Sequence, residues 1–119
     1  MREHTLYIWK EQSENNIQLL RIYGTTAKIQ IPEQIAGKTV TEIGAYCFSK
    51  RRSSERAAWY TEYTDGVEQT APYREDQTTI SPDLQEICER YVEAVSLPDT
   101  VEKIGSFAFY NCNKLKSLS

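Results

Sequence analysis

Apolar residues recur at matching spacings in two distant segments of the chain, residues 29–50 and residues 95–119. Each segment opens with an apolar–polar–apolar–Pro run. Each then continues with Val-x-x-Ile-Gly and two aromatic residues around one small residue. This second part aligns without a gap, and Ile43 matches Ile104 at a distance of 61 residues. We call residues 29–50 the first unit and residues 95–119 the last unit.

Each part of these units predicts a local structure. The apolar–polar–apolar–Pro run predicts a short strand that ends at a residue unable to donate to a ladder. Val-x-x-Ile-Gly predicts a second extended segment, ending where glycine permits a tight bend. Such a unit cannot bury its apolar face alone, so we expect the two units to stack with Ile43 beside Ile104. The alignment predicts these buried residues: Ile43, Phe48, Val95, Leu97, Ile104, Phe107 and Phe109.

The order of these positions resembles the BspA-like leucine-rich repeats, whose units run approximately as I-P-x-x-V-x-x-I-G-x-x-A-F-x-x-C-x-x-L-x-x-V-x-I-P. The resemblance covers residues 29–50 and 88–119, and residues 32–40 are similar to the opening repeat of the family. It implies an α/β fold in the form of a β-rich leucine-rich-repeat solenoid. It also implies a non-catalytic role in adhesion or protein binding.

The N-terminal residues predict a hairpin. Residues 5–10 alternate between apolar and polar side chains, residues 13–16 form a turn, and residues 17–23 are a second apolar stretch. We expect this hairpin to cover the open end of the stack, because a solenoid needs a terminal cap. The pattern leaves open which face of the first strand points inward.

The repeat pattern breaks between Phe48 and Cys88, where the family has only a few residues. We therefore predict an insertion over residues 50–86 that projects from one edge of the stack. Within it, Asp65-Gly66 is a turn signal, which favours a hairpin formed by residues 57–64 and 67–71.

A short helix is predicted over residues 82–91. Ser81-Pro82-Asp83 combines an N-cap oxygen, a proline suited to the first turn and an acid near the positive end of the helix dipole. Four residues then follow at helical spacing: Leu84, Ile87, Cys88 and Tyr91.

These elements predict one leucine-rich-repeat domain over residues 1–119. Its expected parts are an N-terminal cap at 1–28, a first repeat at 29–49, the insertion at 50–86 and continued, truncated repeats at 87–119. Because the chain stops inside a predicted strand, we expect a fragment of a longer protein or an end covered by a copy of the same chain.

Composition narrows the class of partner. The 119 residues suffice for one domain, and a net charge of −3 disfavours nucleic acid. No apolar run is long enough to span a membrane. The N-terminus lacks the apolar core of a secretory signal, which leaves a cytoplasmic location or a surface or secreted protein whose signal was removed. The expected partner is another protein, with homo-oligomerisation through the open C-terminal edge as a second option.

The cysteines are interpreted as small buried apolar residues. Cys47 aligns with Ala108, and Cys88 and Cys112 share one slot of the repeat. The only histidine, His4, lies near the N-terminus, far along the chain from all three. We therefore expect no metal site and no cysteine nucleophile.

No other constellation indicates catalysis. The carboxylate pairs, Glu62 with Asp65 and Glu75 with Asp76, are not placed around a pocket by any pattern. Gly37-Lys38-Thr39 lacks the preceding glycine of a phosphate loop, which is replaced by Pro32. We expect a protein that is not an enzyme and holds no cofactor.

The insertion carries the residue types that dominate interfaces. The candidate binding surface consists of Trp59, Tyr60, Tyr63, Tyr73, Arg51, Arg52 and Arg56. Three interpretations stay open: aromatics that pack the insertion against the units, a protein-binding surface, or a carbohydrate platform. A purely structural segment of a longer array is a further alternative. The inner strand face is expected to be weakly equipped, because its outward residues are small and mostly neutral: Lys28, Gln30, Ala94, Ser96, Ser117 and Ser119.

Overall fold

The computed structural model describes residues 3–51 and 58–119. These residues form β1 (His4–Glu11), β2 (Asn16–Gly24), β3 (Lys28–Gln30), β4 (Gln34–Ile35), β5 (Lys38–Ile43), β6 (Ala58–Thr64), β7 (Val67–Tyr73), β8 (Gln85–Glu86), β9 (Ala94–Ser96), β10 (Lys103–Ile104), β11 (Ser117–Leu118) and a 3₁₀ helix, Glu89–Tyr91. The larger sheet has the order β10-β5-β2-β1-β6-β7, with β4 beside β5 and β8 beside β2. The smaller sheet has the order β11-β9-β3. The protein is β-rich as expected, with almost no helix in the described residues.

The predicted N-terminal hairpin is present as the antiparallel pair β1 and β2. Leu6 and Ile8 on one face of β1 belong to a small apolar cluster, and Tyr7 and Trp9 on the other face belong to the main core. Both faces of β1 are therefore covered by apolar side chains, so neither face alone points inward.

The hairpin lies directly against the first unit. β2 pairs in parallel with β5, which sets Leu19 opposite Ile43. The Gly44 amide donates to the Leu19 carbonyl oxygen at 2.8 Å, and Ile17, Leu19 and Val40 are fully buried. The hairpin thus covers the apolar side of the first unit, as a terminal cap is expected to do.

A second hairpin, β6 and β7, turns at Asp65 and Gly66 as predicted. Both turn residues have left-handed φ angles, 51° and 84°, which a two-residue hairpin turn requires. β6 also pairs antiparallel with β1, so the hairpin continues the larger sheet at its edge. The hairpin does not project from the stack as expected, because β6 is hydrogen-bonded to β1 along its length.

The two units stack in the predicted register. β10 pairs in parallel with β5, and Ile104 lies opposite Ile43. In the smaller sheet, Val95 lies between Ile29 and Leu118, again in parallel. The stacking expected from the 61-residue spacing is therefore confirmed at these positions.

The units also share backbone conformation and ring stacking. Tyr46 and Phe107 occupy equivalent positions and both have left-handed φ angles, 61° and 59°. Their rings stack with centroids 5.6 Å apart, and the rings of Phe48 and Phe109 stack at 5.0 Å. Two segments with one apolar pattern thus adopt one local structure.

The repeated glycine serves close packing between units, and the bend predicted for it is not its main role. A Cβ at Gly105 would lie 2.4 Å from the backbone nitrogen of Ala45. A Cβ at Gly44 would lie 3.0 Å from the carbonyl oxygen of Leu19. Each glycine therefore lets its unit approach the backbone of the preceding layer.

The predicted helix at 82–91 is wrong. This segment forms β8, which pairs with the end of β2, and only Glu89–Tyr91 turns as a 3₁₀ helix. The Ile87 amide donates to the Ile22 carbonyl at 2.9 Å, so a sheet ladder takes the place of helical bonds. Leu84 packs in the small cluster and Ile87 in the main core, which separates side chains that the helix would have aligned.

The core prediction holds for Ile43, Phe48 and Val95, which are almost completely buried. It is wrong for Ile104 and Phe107, which are 45% and 60% exposed. Phe109 and Leu97 are half-buried. The difference arises because nothing in the described residues lies on the outer side of the last unit.

Candidate functional site

Two of the candidate aromatics extend the aromatic face of β1. The Trp59 ring stacks on Trp9 with centroids 6.2 Å apart, and Trp59 is 38% exposed. Tyr63 packs edge-on against Tyr7 at 5.9 Å, and its hydroxyl donates to the Glu68 carboxylate at 2.8 Å. Burial raises the pKa of Tyr7 to about 12, so this phenol stays neutral at physiological pH.

The other two aromatics lie on the opposite face of the same hairpin. Tyr60 and Tyr73 are half-buried and pack with Leu6 and Ile8 in the small cluster. Successive side chains of a strand point to opposite faces of the sheet, which explains why Trp59 and Tyr60 lie on opposite faces. The structure therefore brings the four aromatics together as two pairs on opposite faces.

Arg51, the candidate arginine within the described residues, does not join these aromatics. Arg51 is exposed, and its guanidinium lies 5.2 Å from the ring centroid of Tyr110. Tyr110 in turn packs edge-on against Phe107 at 5.8 Å. Arg51 thus contacts the last unit, while the candidates Arg52 and Arg56 lie outside the described residues.

Sequence reasoning missed a buried polar cluster around Arg21. Arg21 is 3% exposed, donates to the carbonyl oxygens of Ser49 and Arg51, and forms an ion pair with Glu86 at 3.1 Å. A buried charge needs such partners to offset its lost hydration. An arginine inside the apolar run 19–22 was the available signal. The cluster ties β2 to β8 and to the end of the first unit.

Cys47 and Cys88 are buried, as the alignment predicted, whereas Cys112 is only half-buried; all three are free thiols. Burial raises the pKa of Cys47 to about 12 and that of Cys112 to about 11. Burial also raises the pKa of Cys88. Neutral thiols are poor nucleophiles and poor metal ligands. Residues 3–51 and 58–119 contain no group of three metal-binding side chains.

The carboxylates of the predicted pairs have structural contacts. The Glu62 carboxylate lies 2.5 Å from the ring nitrogen of His4, and Asp65 accepts the Glu3 amide at 3.1 Å. Both contacts fasten the start of β1 to the β6–β7 hairpin. Glu75 and Asp76 lie exposed after β7.

The Gly-Lys-Thr segment forms a hairpin turn. Ala36 and Gly37 have left-handed φ angles of 54° and 76°, and they join β4 to β5 as a two-residue turn. The Lys38 ammonium donates to the Glu14 carbonyl at 2.8 Å. These contacts match the turn expected between repeat strands.

The smaller sheet presents a shallow groove to solvent. One cavity of about 260 Å³ crosses its three strands, and an adjoining cavity of about 320 Å³ continues towards Pro32 and Pro98. Gln30 and Ser96 line both cavities, so the two form one groove. We call it the strand groove, and its outward side chains are those predicted for the inner face: Lys28, Gln30, Ala94, Ser96, Ser117 and Ser119.

Residues 78–119 match the family model described as BspA type Leucine rich repeat region (6 copies). The match contains the last unit and confirms the resemblance there. The first unit lies outside the matched range. Its similarity to the last unit rests on the parallel pairing and shared backbone conformation described above. Searches of curated proteins and of solved structures gave no significant match.

Leucine-rich-repeat proteins are generally non-catalytic, and they generally bind other proteins. The matched family therefore indicates a protein-interaction or adhesion repeat. In the part of the chain that the structure describes, no helix is long and apolar enough to cross a membrane.

Proposed function

We propose that this chain, whose residues 78–119 carry the BspA-type leucine-rich repeat, is a non-catalytic protein-binding module built as a short solenoid. The proposal is supported by two sets of neighbouring strands that pair in parallel. They are β2-β5-β10 in the larger sheet and β3-β9-β11 in the smaller one. Such a stack presents equivalent positions side by side. The division into cap, first repeat, insertion and continued repeats remains a prediction of this architecture.

The observation that carries the proposal is the strand groove, which is lined by side chains at equivalent positions of three neighbouring strands. Its hydroxyl and amide groups suit the backbone of an extended polypeptide, and its open shape suits such a chain better than an enclosed small molecule. Exposed Lys28 and Glu33 lie towards opposite ends of the groove, so one end is positively charged and the other negatively charged. Without an aromatic or arginine anchor, we expect modest affinity from the described portion.

Site-specific photo-crosslinking tests this binding surface. A photoreactive phenylalanine derivative at Gln30, in the middle of the groove, is expected to give discrete crosslinked proteins in an extract of the source cells. The matched control places the same residue at Gln77, which is exposed in the turn after β7. Equal products at both positions, or none at Gln30, would contradict the proposal.

A carbohydrate surface is the second candidate, and the exposure of Trp59 is the observation that favours it. Its ring is held in place by Trp9 and keeps a solvent-accessible surface, an arrangement that suits stacking on a sugar. A saturable change in tryptophan fluorescence with a panel of sugars, lost in Trp59→Phe, would support it. No change with any sugar would remove this candidate and leave the protein-binding and structural alternatives.

A further inference from the structure

The exposed large apolar side chains lie in the β6–β7 hairpin and in the last unit. In the described residues they are Trp59, Val67, Ile104, Phe107 and Leu118. The first two belong to the β6–β7 hairpin at one end of the larger sheet. Ile104 lies in β10 at the opposite end and Phe107 follows it in the last unit, while Leu118 lies in β11 of the smaller sheet.

Each end also presents a strand edge. Within residues 3–51 and 58–119, β7 pairs only with β6, and β10 pairs only with β5. The first four residues of β7, Val67 to Thr70, are exposed. Unpaired backbone groups along such an edge are a template for another strand.

The two ends carry opposite charge. Residues 65–76 contain four acids and one base, a net charge of −3: Asp65, Glu68, Arg74, Glu75 and Asp76. Residues 101–119 contain three bases and one acid, a net charge of +2: Glu102, Lys103, Lys114 and Lys116. Two acidic ends repel each other, and so do two basic ends, whereas an acidic end attracts a basic end.

The strand directions are compatible with joining unlike ends. β10 is parallel to β5 and β2, while β7 runs antiparallel to them, because β1 and β6 lie between with alternating direction. A second copy that continues the sheet by translation would therefore set its β7 antiparallel to β10. Antiparallel pairing is slightly more stable per residue than parallel pairing.

We propose that the chain associates head to tail, with the acidic β7 edge of one copy docked on the basic, apolar end of the last unit of the next. Val67 would then cover part of the surface left open around Ile104 and Phe107. Glu68 would face Lys103, whose side chain is 74% exposed and lies 4.0 Å from the Glu42 carboxylate of its own chain. This contact joins two different surfaces, so it propagates into longer assemblies rather than closing as a two-fold dimer. The proposal is independent of the strand groove.

Charge reversal at the two edges tests the proposal. Sedimentation velocity of the full chain in low salt is expected to show association that grows with concentration and weakens in high salt. Lys103→Glu or Glu68→Lys alone is expected to weaken association roughly twofold to fivefold, as for a rim charge pair. An equimolar mixture of the two variants, or the double variant alone, is expected to restore it.

The matched control is Glu14→Lys, which makes the same charge change in the turn between β1 and β2, away from both edges. It is expected to leave association unchanged, and far-ultraviolet circular dichroism checks that each variant is folded. Recovery on mixing cannot arise from misfolding. A wild-type chain that stays monomeric at the highest soluble concentration would overturn the proposal, because the edge charges would then act as barriers. Association that ignores Glu68→Lys but is lost in Phe107→Ser would indicate contact between like ends, which also overturns it.

The groove and the edges are tested separately. A bulky residue at Gln30 is expected to leave self-association unchanged, and the charge reversals are expected to leave crosslinking in the groove unchanged. Failure of one proposal therefore does not imply failure of the other.

Discussion

The first and last units share an apolar pattern and a backbone conformation, but they meet different neighbours. Ile43 lies between Leu19 of β2 and Ile104 of the last unit, and it is completely buried. Among the described strands, β10 pairs only with β5, and Ile104 is 45% exposed. The same pattern therefore produces a closed core in one unit and an open surface in the other. Position in the stack decides whether a repeat side chain stabilises the fold or is available for contact.

The largest expected effect is the difference between two equivalent phenylalanines. Phe48→Ala removes a completely buried ring and should lower the free energy of unfolding by about 3–5 kcal/mol. Phe109→Ala removes a half-buried ring and should cost about 1–3 kcal/mol. Urea denaturation followed by circular dichroism measures both. Equal costs at the two positions would mean that the last unit is covered in solution.

A smaller effect is expected at the glycine of the last unit. The added methyl group of Gly105→Ala would meet the Ala45 backbone, and we expect a loss of roughly 1–3 kcal/mol together with displacement of the last unit. The Gly105 and Glu102 amides, which donate to Ile43 and Thr41 at 2.7 and 2.8 Å, should then exchange faster with solvent. Ser106→Ala, one residue along and exposed, is the control. Unchanged exchange in Gly105→Ala would refute the close-packing role.

The smallest effect at neutral pH is expected for Cys47→Ala, which gives the first unit the residue of the last unit, Ala108. The free energy of unfolding at pH 7 should fall by about 1 kcal/mol or less, since only the sulfur atom is removed. Burial raises the pKa of Cys47 from 9.0 to about 12, so above pH 9 the unfolded thiol ionises while the folded thiol stays neutral.

This difference in ionisation makes the wild-type chain lose stability between pH 9 and pH 12, by up to about 1.4 kcal/mol per pH unit from this group. The loss should be shallower in Cys47→Ala. Urea denaturation at neutral and alkaline pH compares the two slopes, and identical slopes would show that Cys47 is solvated.

Local patterns predicted much of the fold. Alternation and turn residues predicted both hairpins, because strand faces and two-residue turns depend on neighbouring residues. The 61-residue spacing predicted that Ile43 lies beside Ile104, because equal patterns bury best when they stack in register. The small outward residues of the strand groove were predicted from the same alignment.

The predicted helix failed for a reason that is not local. Residues 81–91 carry helix signals, but the end of β2 offers unpaired backbone groups, and Tyr23 pairs with Glu86 there. The partners of Arg21 could not be predicted for a similar reason, since Ser49 and Glu86 are distant from it in sequence. The candidate aromatics were adjacent in sequence, yet the alternation of β6 sends Trp59 and Tyr60 to opposite faces.

The sequence by itself determined the two hairpins, their turns and the register of the repeat, since each follows from spacing along the chain. Only the tertiary structure decided that the β6–β7 hairpin joins β1, that Arg21 is buried with its partners, and that Ile104 and Phe107 are not buried by any of the described residues. These outcomes depend on which segments compete for one strand edge and on what covers each face. Such choices are made between parts of the chain that are far apart in sequence, so no local pattern specifies them.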